Sequence, residues 1–142
     1  MQKTILAIFT FGAALSVLVS CAAPPGQNQV MPTRADGGAF FAANCVACHG
    51  ADGKGRGTAA TALAPAPTNL TTLSARNDGV FPAARALSYI YGDPETSHLA
   101  RVMPQFGGAM AEDLVPVEID GVLTPTPREL AGLLVYLESI QE

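Results

Sequence analysis

The residues from Thr4 to Val19 form a nearly unbroken apolar run without a charge, preceded by Met1-Gln2-Lys3, and from Ala22 to about Arg34 there is no periodicity at all. Helical patterning starts at Asp36. Gly37, Phe41 and Cys45 recur at intervals of four, which places them on one face of a first helix expected over about 36–48. The stretch Gly50 to Gly57 has four glycines in eight residues and predicts a surface loop. Asn69 is placed to cap a short helix from Leu70 to about Ala75. Pro82 to Tyr91 reads as a further helix, with Leu87 and Ile90 on one face and Gly92 as its stop. Asp120-Gly121 between apolar stretches predicts a two-stranded ribbon within Val115 to Thr124. Thr126-Pro127-Arg128-Glu129 has the form of a capping box with proline in the first helical position, opening a terminal helix to about Ile140. Leu130, Leu133, Leu134 and Leu137 are its buried stripe. The expected fold is all-α, about four short helices with one small β-hairpin near 115–124.

The unpatterned N-terminal quarter divides by chemistry. One positive charge followed by a short apolar run is the pattern of a signal peptide, expected over residues 1–20, and the run is too short to cross a bilayer comfortably. Leu18-Val19-Ser20-Cys21 resembles a bacterial lipobox, in which cleavage leaves Cys21 as a lipidated N-terminus. Lipidation also accounts for the odd cysteine, which otherwise implies a free thiol or an intermolecular disulfide. Lipidation is the more economical reading, although Cys21-Ala22-Ala23 could also serve an ordinary signal peptidase. Residues 21–34 are then a flexible tether, and 35–142 the folded domain. The thirteen residues from Ala22 to Arg34, at ~3.3 Å each, reach roughly 40 Å, enough to hold a small domain clear of lipid head groups. The expected location is the periplasmic side of a bacterial membrane; Ala22, rather than an aspartate, follows Cys21 and points to the outer membrane.

Composition changes the picture in two ways. With 8 basic and 12 acidic residues the net charge is −4, and removal of Lys3 with the leader makes it −5, so nucleic acid is excluded as a partner. Eleven prolines and fourteen glycines leave a small, loop-rich domain with a limited core, which a large apolar cofactor would complete.

Cys45-Val46-Ala47-Cys48-His49 names that cofactor. A C-x-x-C-H run is the attachment pattern of a c-type haem. Thiols three residues apart lie on one helical face and each reaches one vinyl group of the same porphyrin, leaving the imidazole beneath the iron as proximal ligand. Zinc would need a fourth ligand, and beyond this run the domain offers only His98 and no second thiol pair. A redox dithiol belongs to a βαβ pattern that is missing here.

Over roughly Asp36 to Gln141 the chain resembles the class I, His/Met family of c-type cytochromes. The likeness rests on Gly37 and Phe41 ahead of Cys45, on the haem motif, on the proline loop Leu63 to Thr71, on Met103-Pro104-Gln105-Phe106-Gly107, and on Tyr136-Leu137 in the last helix. It implies one covalently bound haem c on Cys45 and Cys48, with His49 and Met103 as axial iron ligands. Leu70, Leu73, Ile90 and Phe106 would line the pocket, and a backbone carbonyl of the proline loop would accept from the second nitrogen of His49, with Pro65 and Pro67 competing for that place. The last helix would cross the first at Gly37 and Phe41. Met110 is expected as pocket lining and His98 as a solvated rival ligand. Arg76 and Asn77 lie within reach of a propionate, Lys54 and Arg56 are exposed docking charges, and the hairpin covers an edge of the pocket or meets a partner. The implied function is transfer of single electrons between redox partner proteins, not enzymatic catalysis. Two other readings stand beside it: a haem-based sensor of small ligands, and a fixed haem subunit of a respiratory complex.

Overall fold

The computed structural model describes residues 30–92 and 102–142, so the leader, Cys21 and most of the tether lie outside the described residues, as does His98. Helix α1 (Arg34–Asn44) begins two residues before the sequence suggests, because Thr33 and Asp36 form a reciprocal capping box. The Thr33 hydroxyl accepts from the Asp36 N–H at 3.3 Å, and the Asp36 carboxylate accepts from the Thr33 N–H at 2.7 Å. Aspartate stands where glutamate or glutamine is usual, which hides the motif. The expected single helix over 36–48 is also interrupted. The backbone bends at Cys45 (φ −117°, ψ −29°), and a one-turn helix α2 (Val46–His49) follows. Hydrogen bonds from Cys45 N–H to the Phe41 carbonyl and from His49 N–H to the Cys45 carbonyl, both 2.9 Å, carry the helical path through the bend.

Asn69 caps as expected, its side chain accepting from the Thr71 N–H at 2.9 Å. In place of one helix, however, two 3₁₀ turns form at Leu70–Thr72 and Ala75–Asn77. Threonines and a serine within this stretch are poor helix formers and bond locally instead. Helix α3 (Ala83–Tyr91) has Pro82 as its N-cap and ends at Gly92, whose φ of +95° carries the chain out of the helix.

Strands β1 (Leu114–Ile119) and β2 (Val122–Pro127) pair antiparallel, with Ile119 opposite Val122 and Leu114 opposite Pro127. Asp120 and Gly121 both have positive φ, 52° and 80°, as a two-residue type I′ turn requires. The ladder runs further than expected and absorbs Thr126, so the anticipated capping box does not form. Thr126 is fully buried and its hydroxyl donates to the Thr124 carbonyl at 3.0 Å. Helix α4 (Arg128–Ser139) instead starts on Asp113, whose carbonyl accepts from the Arg128 N–H at 2.9 Å and whose carboxylate takes the guanidinium at 2.7 Å.

Helices α1 and α4 cross at two glycines. A Cβ on Gly37 would collide with the carbonyl of Gly132, so this approach of backbone to backbone demands glycine on α1. Phe41 lies with its ring 5.1 Å from that of Tyr136, and with Leu130, Leu133, Leu134 and Leu137 it forms the buried core, joined by Leu87 and Ile90 of α3 and Ile119 of the hairpin. The hairpin packs Val115, Ile119 and Thr126 inward on the side of α3 and α4 away from the main cavity. Among the described residues no hairpin side chain lines that cavity, so it does not cover an edge of the pocket.

Candidate functional site

A cavity of about 490 Å³ opens on the other side of the core, within the range of roughly 300–1,000 Å³ typical of ligand and cofactor sites. Cys45, Cys48 and His49 line it from the α1–α2 bend, and Leu70 and Leu73 from the 3₁₀ segment. Ile90 lines it from α3, and Met103 and Phe106 from the loop after residue 101. All eight residues assigned to the domain's site therefore meet at one wall or another. Met110 does not line the cavity; it packs against the core.

His49 is buried at 9% exposure, and its Nδ1 lies 3.0 Å from the backbone carbonyl of Thr68. A carbonyl only accepts, so Nδ1 carries the proton and Nε2 the lone pair. No side-chain nitrogen or oxygen among the described residues is sealed from water without a partner, so unbonded Nε2 is open to the cavity that His49 lines. Burial pushes the imidazole below its ordinary pKa, and the bond to Thr68 opposes this in part. The ring is thus neutral, oriented and ready to donate a lone pair. The accepting carbonyl belongs to Thr68, and not to Pro65 or Pro67, although both prolines line the cavity and shape the loop that presents it.

The two thiols are half-buried and unpaired with each other. Burial, and then the neighbouring Cys48, push the Cys45 thiol up to about 11. A disulfide-exchange site needs the opposite shift, toward a stable thiolate. Among the described residues no cluster of three or more His, Cys, Asp or Glu is arranged to hold a metal ion.

The walls suit a large flat apolar group with one acidic end. Phe41, Leu133 and Leu137, legible in sequence only as core, also face the cavity, as do Leu63, Val102 and Tyr89. Among the described residues, the charged ones lining it are Arg76 and Arg85. Arg76 donates to the Asn69 carbonyl at 2.8 Å and Arg85 to Asn77 Oδ1 at 3.4 Å, and neither pairs with a carboxylate among the described residues. Arg76 thus holds the place expected of it, while Asn77 does not line the cavity, and Arg85 was not singled out by any motif. Lys54 and Arg56, expected as exposed docking charges, are half-buried and exposed respectively, and each is ion-paired, with Glu142 at 2.6 Å and with Asp52 at 3.0 Å.

Two thiols, a neutral histidine with an open Nε2, apolar walls and two arginines fit haem c bound through thioethers. The fold and this donor set define a c-type haem protein. The family model for cytochrome c matches residues 34–141, and the chain belongs to the cytochrome c family, whose members hold haem c covalently. No curated protein and no solved structure matched the chain.

Proposed function

We propose that this cytochrome c carries single electrons between redox partner proteins, with the Met103 sulfur opposite His49 as the second axial ligand, and that it does so tethered by lipid on Cys21 at the periplasmic side of a bacterial membrane. The observation that carries the reading is that Met103 lines the same cavity as Cys45, Cys48 and His49, whereas Met31 and Met110 do not. Pro104 after it restricts Met103 to extended backbone, which suits a ligand offered from a loop.

When bound, haem supplies reversible one-electron exchange at iron, at a potential raised by methionine ligation. The protein's part is to hold and shield. Thr68 fixes the tautomer and orientation of His49. Leu70, Leu73, Ile90 and Phe106 exclude water, which disfavours the extra positive charge of the oxidised state. Phe106 is itself braced, edge-on to Phe40 with ring centroids 5.6 Å apart. Arg76 and Arg85 place positive charge at the cavity, where a partner or the acidic end of the cofactor meets it.

Were His49 and Met103 both to hold the iron, no position would be left for a substrate or gas, which supports a carrier over an enzyme or a sensor. Carbon monoxide added to the reduced protein should leave its absorption spectrum unchanged over minutes. Rapid formation of a carbon monoxide complex would instead support the sensing function.

A further inference from the structure

The strap from Thr68 to Ser74 gives His49 its hydrogen-bond acceptor and gives the cavity two leucines, yet only short 3₁₀ turns hold it internally. Its anchorage comes from beyond α4. The Gln141 carboxamide accepts from the Ser74 N–H at 2.9 Å and donates to the Leu70 carbonyl at 2.8 Å and to the Leu137 carbonyl at 2.7 Å. The pattern fixes which end of the amide is which, since a backbone N–H needs an oxygen and two carbonyls need N–H donors. One side chain thereby ties both ends of the 70–74 segment to the last turn of α4. That helix is itself locked to α1 through Gly37 and Gly132. Neighbouring ties are the Arg76 guanidinium to the Asn69 carbonyl at 2.8 Å, the Leu70 N–H to the Gly53 carbonyl at 2.7 Å and the Glu142 N–H to the Thr71 carbonyl at 2.8 Å.

We infer that Gln141 is a positioning residue for the proximal histidine: it holds the strap so that the Thr68 carbonyl stays on His49 Nδ1, and thereby sets the electron donation of His49 to iron. This rests on His49 as the axial ligand. The direction follows from hydrogen-bond chemistry. A firm acceptor on Nδ1–H makes the imidazole a stronger donor and favours the oxidised state, so loosening the strap raises the reduction potential.

The test uses haem-loaded protein. Gln141→Met keeps length and apolar volume and removes all three bonds, and Ser139→Ala removes a side-chain contact at the same helix end that does not touch the strap, the bond from the Arg34 guanidinium at 2.7 Å. Two readouts are taken: the potential by voltammetry, and solvent exchange of the His49 Nδ1–H by proton NMR of the reduced form. In Gln141→Met the potential should rise and the exchange should accelerate about tenfold, on the scale of one lost hydrogen bond. Ser139→Ala should match the parent in both. Should Gln141→Met fail to take up haem, Gln141→Asn, one methylene too short to span the bonds, is measured the same way. Unchanged potential and exchange in a variant whose denaturation midpoint has fallen would reduce Gln141 to a merely structural role and overturn the inference. An unaltered protein that shows no haem-ligating histidine at all would overturn the axial assignment instead, a result distinguishable before any variant is made.

Discussion

Nδ1 of His49 donates to the Thr68 carbonyl over 3.0 Å, nineteen residues further along the chain. One bond therefore joins the haem motif to the loop that closes the opposite side of the ring, and the site is built only when both are folded. Insertion of one glycine between Thr68 and Asn69 should displace the carbonyl while leaving Cys45 and Cys48 intact. Covalent haem should survive, seen in a denaturing gel stained for haem, while the potential departs from that of the parent.

Gly37 and Gly132 face each other but are not equivalent. Gly37→Ala drives a Cβ into backbone and should cost at least about 2 kcal/mol in chemical denaturation. A Cβ on Gly132 comes no closer than 3.2 Å to its neighbours, and the gain in helix propensity of about 1 kcal/mol offsets the crowding. Gly132→Ala should therefore be nearly neutral, and the reverse order of the two variants would contradict the crossing.

Acid should weaken the fold through carboxylates held below their ordinary values. The Thr33 hydroxyl and N–H lower Asp36; the Lys54 N–H and then Arg56 lower Asp52; Lys54 lowers Glu142. Between each depressed folded value and the ordinary 3.8 to 4.5, the unfolded chain binds more protons, so stability present above that range is lost as pH falls through it. The thermal midpoint should begin to fall below about pH 6.5, where the unfolded chain protonates His49 and the fold resists it, and fall further below about 4 as these carboxylates protonate. Thr33→Ala should lower the neutral-pH stability by about 1 kcal/mol and flatten part of the acid slope.

Charge at the cavity should outweigh the net charge of −4 in steering small reagents. Arg76 and Arg85 line the cavity, whereas Lys54 and Arg56 are spoken for by Glu142 and Asp52. Replacing both Arg76 and Arg85 by glutamine should slow electron exchange with hexacyanoferrate about tenfold at low salt and less at high salt. The same change at Lys54 and Arg56 should do little. Equal effects of the two pairs would refute local steering.

If the tether is lipid-anchored as proposed, Cys21→Ser should move the protein from the membrane to the soluble fraction with its haem spectrum intact. Intact mass showing a mature start at another residue and no acyl group would exclude the anchor.

Much of the fold was written in local chemistry. Asp120-Gly121 fixes the hairpin, Gly92 ends α3, and the leucine stripe of α4 reads directly as core. What escaped depends on partners far away in sequence. Thr126 matches a helix cap until the strand ladder claims it, and Lys54 looks free until Glu142 folds against it. The hairpin's sequence specifies a ribbon but not the side of the core on which Ile119 inserts. Within the site, side chains were legible because their types declare their chemistry. The Thr68 carbonyl was not, since every residue carries one, and Pro65 and Pro67 only mark the neighbourhood. Gln141 belongs to no motif, and only the positions of Leu70, Ser74 and Leu137 around it reveal what it does.

The central claim is ligation of the haem iron by His49 and Met103, and the near-infrared spectrum of the oxidised protein tests it most directly. The weak sulfur-to-iron band should be present in the parent and in Met110→Ala and His98→Ala, and Met103→Ala should abolish it and lower the potential. A parent spectrum without the band, or an axial spectrum altered by His98→Ala and not by Met103→Ala, would contradict the account.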